Sequence, residues 1–518
     1  MKVRILFSIV SGLLLTLSFP NFYYSYCIWF SLVPLLVSLR GASLSHSFCL
    51  GFLTGLTHYF SFLYWATYTL KTYVQLPLYL CIFIYSALCI YLSIYIGLFA
   101  VLTSRLCFKP LRLLFILPIV WVSFEYARTI LLFSGFPWGL VGYSQFKQLY
   151  LIQFVDITGV YGLSFLIVQC NAVIFISLLY ITKKNWNGVI IKKKILVCST
   201  LGFIIILGIV ILYGKVRVDT LSNLSSVKAA VIQGNIEQSM KWNPLYRSIT
   251  INKYIKLSQD TKSDLIIWPE TSVPFYFKEE TTRSRAIIRA IREIKADFLI
   301  GSPSINYEKD AVKYYNSAYL VNKDGRILDQ YNKIHLVPFG EYIPWKIVFS
   351  SIKKFTGGAE DFNIGTKIEP ILWTPYKIGV QICYEVIFPN LARGMAKNGA
   401  QFFVNITNDA WFGKTSAPYQ HFYMALFRAV ENKRALIRSA NTGISGFIDP
   451  VGRIMAYSPI FEEAVLANTI SINNQITFYT RFGDLFVFLN ILLLAIIIIF
   501  DQFLNHRVCL RIQGKNHE

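Results

Sequence analysis

The chain has 518 residues, of which 54% are hydrophobic, 16% aromatic and only 15% charged, and 50 Lys and Arg against 28 Asp and Glu give a formal net charge of +22. Soluble domains carry about 25% charged residues and disordered chains are poor in hydrophobic ones, so this composition excludes both a purely cytosolic globular protein and a disordered chain. A basic excess of this size fits either a nucleic-acid binder or a membrane protein that uses Lys and Arg to set topology, and the placement of the charges decides between them.

In chain order, apolar runs that read as membrane spans cover residues 5–20, 24–39, 48–70, 76–102, 113–133, 159–181 and 195–213, and an eighth covers 485–503. Lys2 and Arg4 precede the first run as they would in a signal peptide, but Phe19-Pro20-Asn21-Phe22 offers no small-residue cleavage site, so a retained helix is expected. With the N-terminus in the cytoplasm, the inside segments hold Lys2, Arg4, Arg40, Arg105, Lys109, Arg112, Lys183, Lys184, Lys192, Lys193, Lys194, Arg507, Arg511 and Lys515. The short outside loops hold little beyond Lys71 and Lys147. That asymmetry puts both termini in the cytoplasm and residues 218–479 outside it. Topology then explains most of the loop charge, and no nucleic-acid partner is expected. Glu125 and Arg128, three apart on one helix face, are placed so that they can pair, either as a clamp between helices or as part of a substrate path. The following loop, Gly135-Phe136-Pro137-Trp138-Gly139, reads either as an interfacial aromatic belt or as the place where a lipid-handling site meets the bilayer.

From Val227 the pattern changes to strands interleaved with helices. Strands are predicted over 228–233, 264–268, 297–301, 315–321, 326–331, 377–383 and 401–406, helices over 247–260, 281–295 and 418–434, and further strands within 444–471. Asn322-Lys323-Asp324-Gly325 and Asp449-Pro450-Val451-Gly452 are turn signals between strands. This is an α/β domain with helix-covered sheets. The chain divides into a seven-helix membrane domain (1–217), the outside domain (218–479), and an eighth helix with a basic cytoplasmic tail (480–518).

Of nine cysteines only Cys383 falls in the outside domain, so no disulfide forms within it. Cys383 ends an apolar strand and precedes Tyr384-Glu385, a strand-to-loop position where folds expose nucleophiles. A thiol needs a base and a donor or cation for the oxyanion. Glu270 and Lys333 also end predicted strands, so one edge of the fold can gather all three. Spacing alone does not choose them over Glu341, Glu385 or His335.

Trp268-Pro-Glu-Thr271, Tyr331-Asn-Lys-Ile-His-Leu-Val-Pro-Phe-Gly-Glu341 and Ile382-Cys-Tyr-Glu385 resemble, in order, the Glu, Lys and Cys blocks of the nitrilase, or carbon–nitrogen hydrolase, superfamily. The extension to Pro338-Phe-Gly-Glu-Tyr-Ile-Pro344 is narrower in meaning. With Gln233-Gly-Asn235, Lys241-Trp242, Asn408-Asp-Ala-Trp-Phe-Gly413, Pro418-Tyr-Gln-His421, Asn441-Thr-Gly443, Phe136-Pro-Trp-Gly139 and Gly142-Tyr-Ser-Gln145, it resembles the apolipoprotein N-acyltransferase family over almost the whole chain.

The resemblance implies a polytopic α-helical membrane protein of about eight spans with an inserted nitrilase-like α-β-β-α sandwich, facing the periplasm from the bacterial inner membrane. It implies Glu270 as base, Lys333 as oxyanion cation and Cys383 as nucleophile. A fatty acyl chain would pass from a phospholipid donor, phosphatidylethanolamine, through a Cys383 thioester to the N-terminal amine of a diacylated apolipoprotein. By the same resemblance Glu341 positions Lys333 or the amine, Tyr384 and Glu385 shape the loop after the nucleophile, and Trp242 sits on an arm over the site. Neither cofactor nor metal is expected. The alternative is a membrane-tethered nitrilase-like amidase or hydrolase with the same triad, and beyond it a transporter or lipid-binding scaffold.

Overall fold

The computed structural model describes residues 1–20, 22–73, 76–132, 135–220, 225–279, 281–308, 311–342 and 361–515. Ile343 and Pro344, the end of the extended Lys block, lie outside the described residues.

Among the described residues five helices are long and apolar enough to cross a membrane: Leu78–Leu106, Pro110–Ile130, Val160–Ile181, Lys193–Asp219 and the Leu485–Phe503 stretch. The other three expected runs fold differently. Lys2–Leu17 is a helix of 16 residues, and the second run splits into a 3-10 turn, Ser25–Trp29, and a helix, Val33–Leu39. The run expected over 48–70 breaks into Leu44–Phe62 and Trp65–Thr72. Small residues let these helices approach closely. A Cβ added at Gly51 would lie 2.5 Å from the Ala100 Cβ, and one at Gly55 would lie 2.8 Å from the Ser93 Cα.

Glu125 and Arg128 spend their hydrogen bonds on the aromatic loop. Arg128 donates to the carbonyls of Phe136, Trp138 and Gly139, and Glu125 accepts from the Val141 N–H. Buried ionic groups satisfied by backbone in this way fix a loop that hydropathy alone leaves unspecified.

The α/β domain that follows is built on two six-stranded sheets. The first contains β1 (Ser226–Gln233), β2 (Leu265–Ile267), β3 (Asp297–Glu308), β4 (Ala311–Val321) and β5 (Ile327–Asn332). The second contains β6 (Ile371–Trp373), β7 (Tyr376–Ile382), β8 (Phe402–Thr407), β9 (Leu436–Ala440), β10 (Gly446–Ile448) and β11 (Ile454–Tyr457), and β12 (Ala464–Ser471) returns to the first. The strand orders are β12-β1-β2-β3-β4-β5 and β11-β10-β9-β8-β7-β6. In each sheet the central strands run parallel and the outer ones antiparallel.

Period-two alternation explains the layering. Ala229, Val231, Leu265, Ile267, Leu299, Ala318 and Leu320 point into the core shared with the second sheet. Their neighbours Ala230, Ile232, Ile266, Phe298, Ile300, Tyr319 and Val321 form a separate core with the helices Arg247–Ser258 and Thr281–Ile294. The helices Pro389–Lys397 and Ala417–Asn432 cover the second sheet. The result is the four-layer α-β-β-α arrangement of a nitrilase-like fold. The helix Ala417–Asn432 also seats on the N-terminal segment: Gln420 Oε1 accepts from Trp65 Nε1, on the short helix Trp65–Thr72, at 3.2 Å and from Trp138 Nε1, in the aromatic loop, at 2.7 Å.

Candidate active site

The candidate residues arrive from both sheets, not from one edge. β2 pairs with β3 through Ile267 and Leu299, then leaves the sheet through Trp268-Pro269 to Glu270. Thr271 after it holds φ 46°, in the left-handed region. Gly301 on β3 is what lets this turn cross so close: an added Cβ would meet Pro269 O at 2.5 Å, Thr271 N at 2.7 Å and Glu270 Cα at 2.8 Å. Lys333 follows β5 directly, and its N–H donates to Asn316 O on β4 at 2.8 Å. β7 ends at Ile382, paired with Ile406 of β8, and Cys383 opens a 3-10 turn in which it holds φ 54°. A β-carbon residue in that conformation stores about 1–3 kcal/mol, which the surrounding contacts must over-determine.

Lys333 is the hub. Its Nζ lies 2.9 Å from both oxygens of Glu341 and 3.6 Å from Glu270 Oε1. Asn316 Nδ2 donates to Glu270 Oε1 and to Glu341 Oε1, each at 2.8 Å, so one amide spaces the two carboxylates. Glu270 Oε2 accepts from the Asn408 N–H at 3.0 Å. Exposure falls to 1% for Lys333, 6% for Glu270, 7% for Glu341 and 8% for Cys383, so these charges act in a dry setting where each is worth more than in water.

Burial disfavours the charge on Lys333, but Glu341 and then Glu270 outweigh it and hold the ammonium above the ordinary lysine range. The Cys383 thiol is pushed up to about 12, first by burial and then by the Glu270 charge, with Lys333 pulling against them. The resting group is therefore a neutral thiol. A thiol held this high becomes a nucleophile only with a base beside it and a donor or cation for the charge that forms.

Lys241 is a second buried lysine, donating from Nζ to the Glu270 carbonyl at 2.9 Å. Burial lowers it to about 8 against the pull of Glu270 and Cys383. Its neighbour Trp242 stays at the surface, 43% exposed. Among the described residues Glu385 makes no ion pair. Its Oε1 accepts from Ile334 N at 2.6 Å, His335 N at 3.0 Å and Tyr331 OH at 2.9 Å, while Oε2 accepts from Ile382 N at 2.6 Å. One carboxylate thus ties the residue after Lys333 to the residue before Cys383. Tyr384 lies half-buried against Phe388, edge to face at 5.1 Å. His335, open as a base on spacing alone, stacks on Phe388 at 3.5 Å and is lowered to about 4 by burial and then by Lys333.

Asn316 carries no motif in the sequence, and Asn408 stands only as the first residue of a motif block with no role attached. A buried Asn inside an apolar strand was the available signal for the first. Asn408 joins the motif blocks together: it donates to Gln238 Oε1 at 2.7 Å and accepts from Asn441 Nδ2 at 3.0 Å, and Asn441 in turn bonds the backbone of Ile236.

Two family descriptions match the chain: apolipoprotein N-acyltransferase N-terminal domain over residues 11–173, and carbon-nitrogen hydrolase over residues 228–476. The apolipoprotein N-acyltransferase of Geobacter metallireducens is 40% identical over 485 residues, covering 93% of this chain and 92% of its own. That of Rickettsia prowazekii is 33% identical over 476 residues, 87% of this chain and 90% of its own. That of Pasteurella multocida is 31% identical over 499 residues, 94% of this chain and 93% of its own.

Proposed function

The chain belongs to the apolipoprotein N-acyltransferase family, and from that premise we propose that Cys383 carries a fatty acyl group from a membrane phospholipid to the N-terminal amine of a diacylated apolipoprotein. The protein is an acyltransferase of lipoprotein maturation. The single observation carrying the residue assignment is the convergence of Glu270, Lys333 and Glu341 from one sheet with Cys383 from the other, in a site where Cys383 feels the charge of both Glu270 and Lys333.

In the first step Glu270 takes the thiol proton as Cys383 Sγ attacks an ester carbonyl of phosphatidylethanolamine. Lys333 and the Tyr384 N–H stabilise the tetrahedral oxyanion. Collapse breaks the carbon–oxygen bond, Glu270 returns the proton to the departing lysophospholipid oxygen, and a thioester remains. In the second step the α-amine of a diacylglyceryl-cysteine attacks that thioester, Glu270 accepts the amine proton, and the regenerated thiolate recovers it. A thioester is reactive enough to form the amide without a further energy source. Glu341 holds Lys333 in place, Glu385 clamps the Lys and Cys loops together, and Trp242 meets lipid from the surface arm.

A lipid donor fits a site that sits one layer from the membrane helices, through the helix Ala417–Asn432 and Trp138. The proposed arrangement is eight spans with domain boundaries at 217 and 480, both termini cytoplasmic, and residues 218–479 in the periplasm from the bacterial inner membrane. Lys193–Asp219 and Leu485–Phe503 support it by the apolar side chains they expose, among them Ile204, Ile205, Ile209, Leu492 and Ile496. The test is N-acylation of a diacylated lipopeptide by the purified protein in phosphatidylethanolamine vesicles. Cys383→Ala, Glu270→Gln and Lys333→Met are each expected to lose roughly a thousandfold or more in rate. Full activity in Cys383→Ala would overturn the assignment.

A further inference from the structure

A second buried polar cluster reaches Cys383 and takes no part in the chemistry above. Arg438, in the middle of β9, donates from Nη2 to Asp409 Oδ2 at 2.8 Å and lies 2.9 Å from His421 Nδ1. Its Nη1 donates to Asn405 Oδ1. Asn405 Nδ2 then donates to the carbonyls of Gln381 at 3.0 Å and Cys383 at 3.4 Å. Asp409 Oδ1 accepts from Thr407 Oγ1 at 3.0 Å. All five of these side chains are fully buried.

His421 Nδ1 sits between a donor, Arg438 Nη2 at 2.9 Å, and an acceptor, Asp409 Oδ1 at 3.1 Å. Asp409 is already engaged by Arg438 and Thr407, and a neutral ring that accepts from Arg438 at Nδ1 carries its hydrogen on Nε2. Burial, and then Arg438, hold that ring below the ordinary imidazole value, with Asp409 opposing them. Nε2 is buried, makes no hydrogen bond of normal length, and is directed at the Cys383 backbone. On its other side the ring stacks on Trp138 at 5.6 Å, and Trp138 is pinned by Gln420.

We propose that His421 and Asn405 are positioning residues that hold the Cys383 carbonyl and thereby aim the Tyr384 N–H at the oxyanion. The carbonyl of one residue and the N–H of the next belong to a single rigid plane and point in opposite directions. Fixing the oxygen of Cys383 from the Arg438–Asp409 side therefore fixes the N–H of Tyr384, at a residue that has a left-handed backbone and opens the 3-10 turn. The long Asn405 bond and the open Nε2 are the contacts that tighten as charge develops. Trp138 braces the ring from the membrane side, so lipid-side packing and the oxyanion donor share one support.

This inference rests on the reading that Cys383 is the acylated nucleophile. The test compares wild type, His421→Gln and His421→Leu, which keep similar volume with and without a donor, in full-length protein in phosphatidylethanolamine vesicles. Acyl-enzyme formation is followed by intact mass, and the thioester carbonyl by isotope-edited infrared with a 13C-labelled acyl chain. His421→Leu is expected to form the acyl enzyme about tenfold to a hundredfold more slowly at unchanged lipid KM, and its thioester band is expected at higher wavenumber. His421→Gln is expected within about threefold of wild type, with the wild-type band. A merely structural role predicts an unchanged band in both variants, and that result overturns the proposal, as does a wild-type rate in His421→Leu. If neither variant folds, Asn405→Ala carries the same band prediction. No adduct on wild type overturns the reading of Cys383 itself, and the positioning proposal with it.

Discussion

Gly301→Ala is a small perturbation with a large expected effect. Gly301 does not need a left-handed backbone, so alanine meets no conformational penalty there, and the whole consequence is steric. The new methyl would lie 2.5 Å from the Pro269 carbonyl, against about 3.4 Å for an ordinary contact, so the turn must retreat by about 0.9 Å. All three atoms it meets are main chain, which no rotamer change can move aside. Glu270 rides on that turn, and its bond of 2.8 Å from Asn316 and contact of 3.6 Å with Lys333 would be lost or lengthened. A misplacement of about 1 Å in a catalytic group costs on the order of a hundredfold in rate, and overpacking adds about 1–3 kcal/mol of destabilisation. The assay is the rate of acyl-enzyme formation by intact mass, beside thermal unfolding. Gly208→Ala is the control, since nothing lies within 4 Å of a Cβ there. A Gly301→Ala protein that is folded and acylates at the wild-type rate would refute the assignment of Glu270 as the base.

Glu385→Gln should lower stability by about 3 kcal/mol, because an amide N–H₂ would then face the Ile382 N–H where a carboxylate oxygen now accepts it. Thermal unfolding should show a drop of roughly 6–10 °C, and acylation should slow because the clamp between the Lys and Cys loops is loosened. Glu270→Gln removes the negative neighbour that holds the thiol up, so the midpoint of iodoacetamide alkylation at Cys383 should move below about 12 while acylation by lipid is abolished. An unmoved midpoint would contradict the electrostatic account of the site. Lys241 titrates near 8, and its charge favours the thiolate and the oxyanion, so the acylation rate should fall as pH rises through about 8. Its folded value lies below the ordinary lysine one, so the folded state holds fewer protons and stability should rise between those two values. Lys241→Gln should abolish both effects, in a pH–rate profile and in a pH series of unfolding.

Much of this was legible in the chain because strand periodicity and strand ends are local signals. β1, β2, β5 and β7 lie close to their expected positions, and Glu270, Lys333 and Cys383 each stand at or just beyond a strand end. What stayed hidden depends on contacts between distant segments. β9 reads poorly as a strand because Arg438 occupies its middle, and its burial is tolerable through the Asp409 carboxylate from another loop together with Asn405 and the Ile444 carbonyl. Asn316 gains meaning only when Glu270 and Glu341 arrive on either side of it. The break after Phe62 has no hydropathy signal, since apolar residues continue through it. Its cause is docking: Tyr64 OH accepts from Ser416 N and Trp65 donates to Gln420, both from the other domain.

The most direct test of the central claim follows a labelled acyl chain through Cys383. The protein is incubated with phosphatidylethanolamine bearing a 13C-labelled fatty acyl group, its intact mass is measured, and a diacylated lipopeptide is then added. The account predicts a labelled increment on wild type, located at Cys383 and absent in Cys383→Ser, which leaves the protein as the label appears in an amide at the lipopeptide N-terminus. Release of the label as free fatty acid with no acylated lipopeptide, or acylated lipopeptide formed by Cys383→Ser at the wild-type rate, would contradict it.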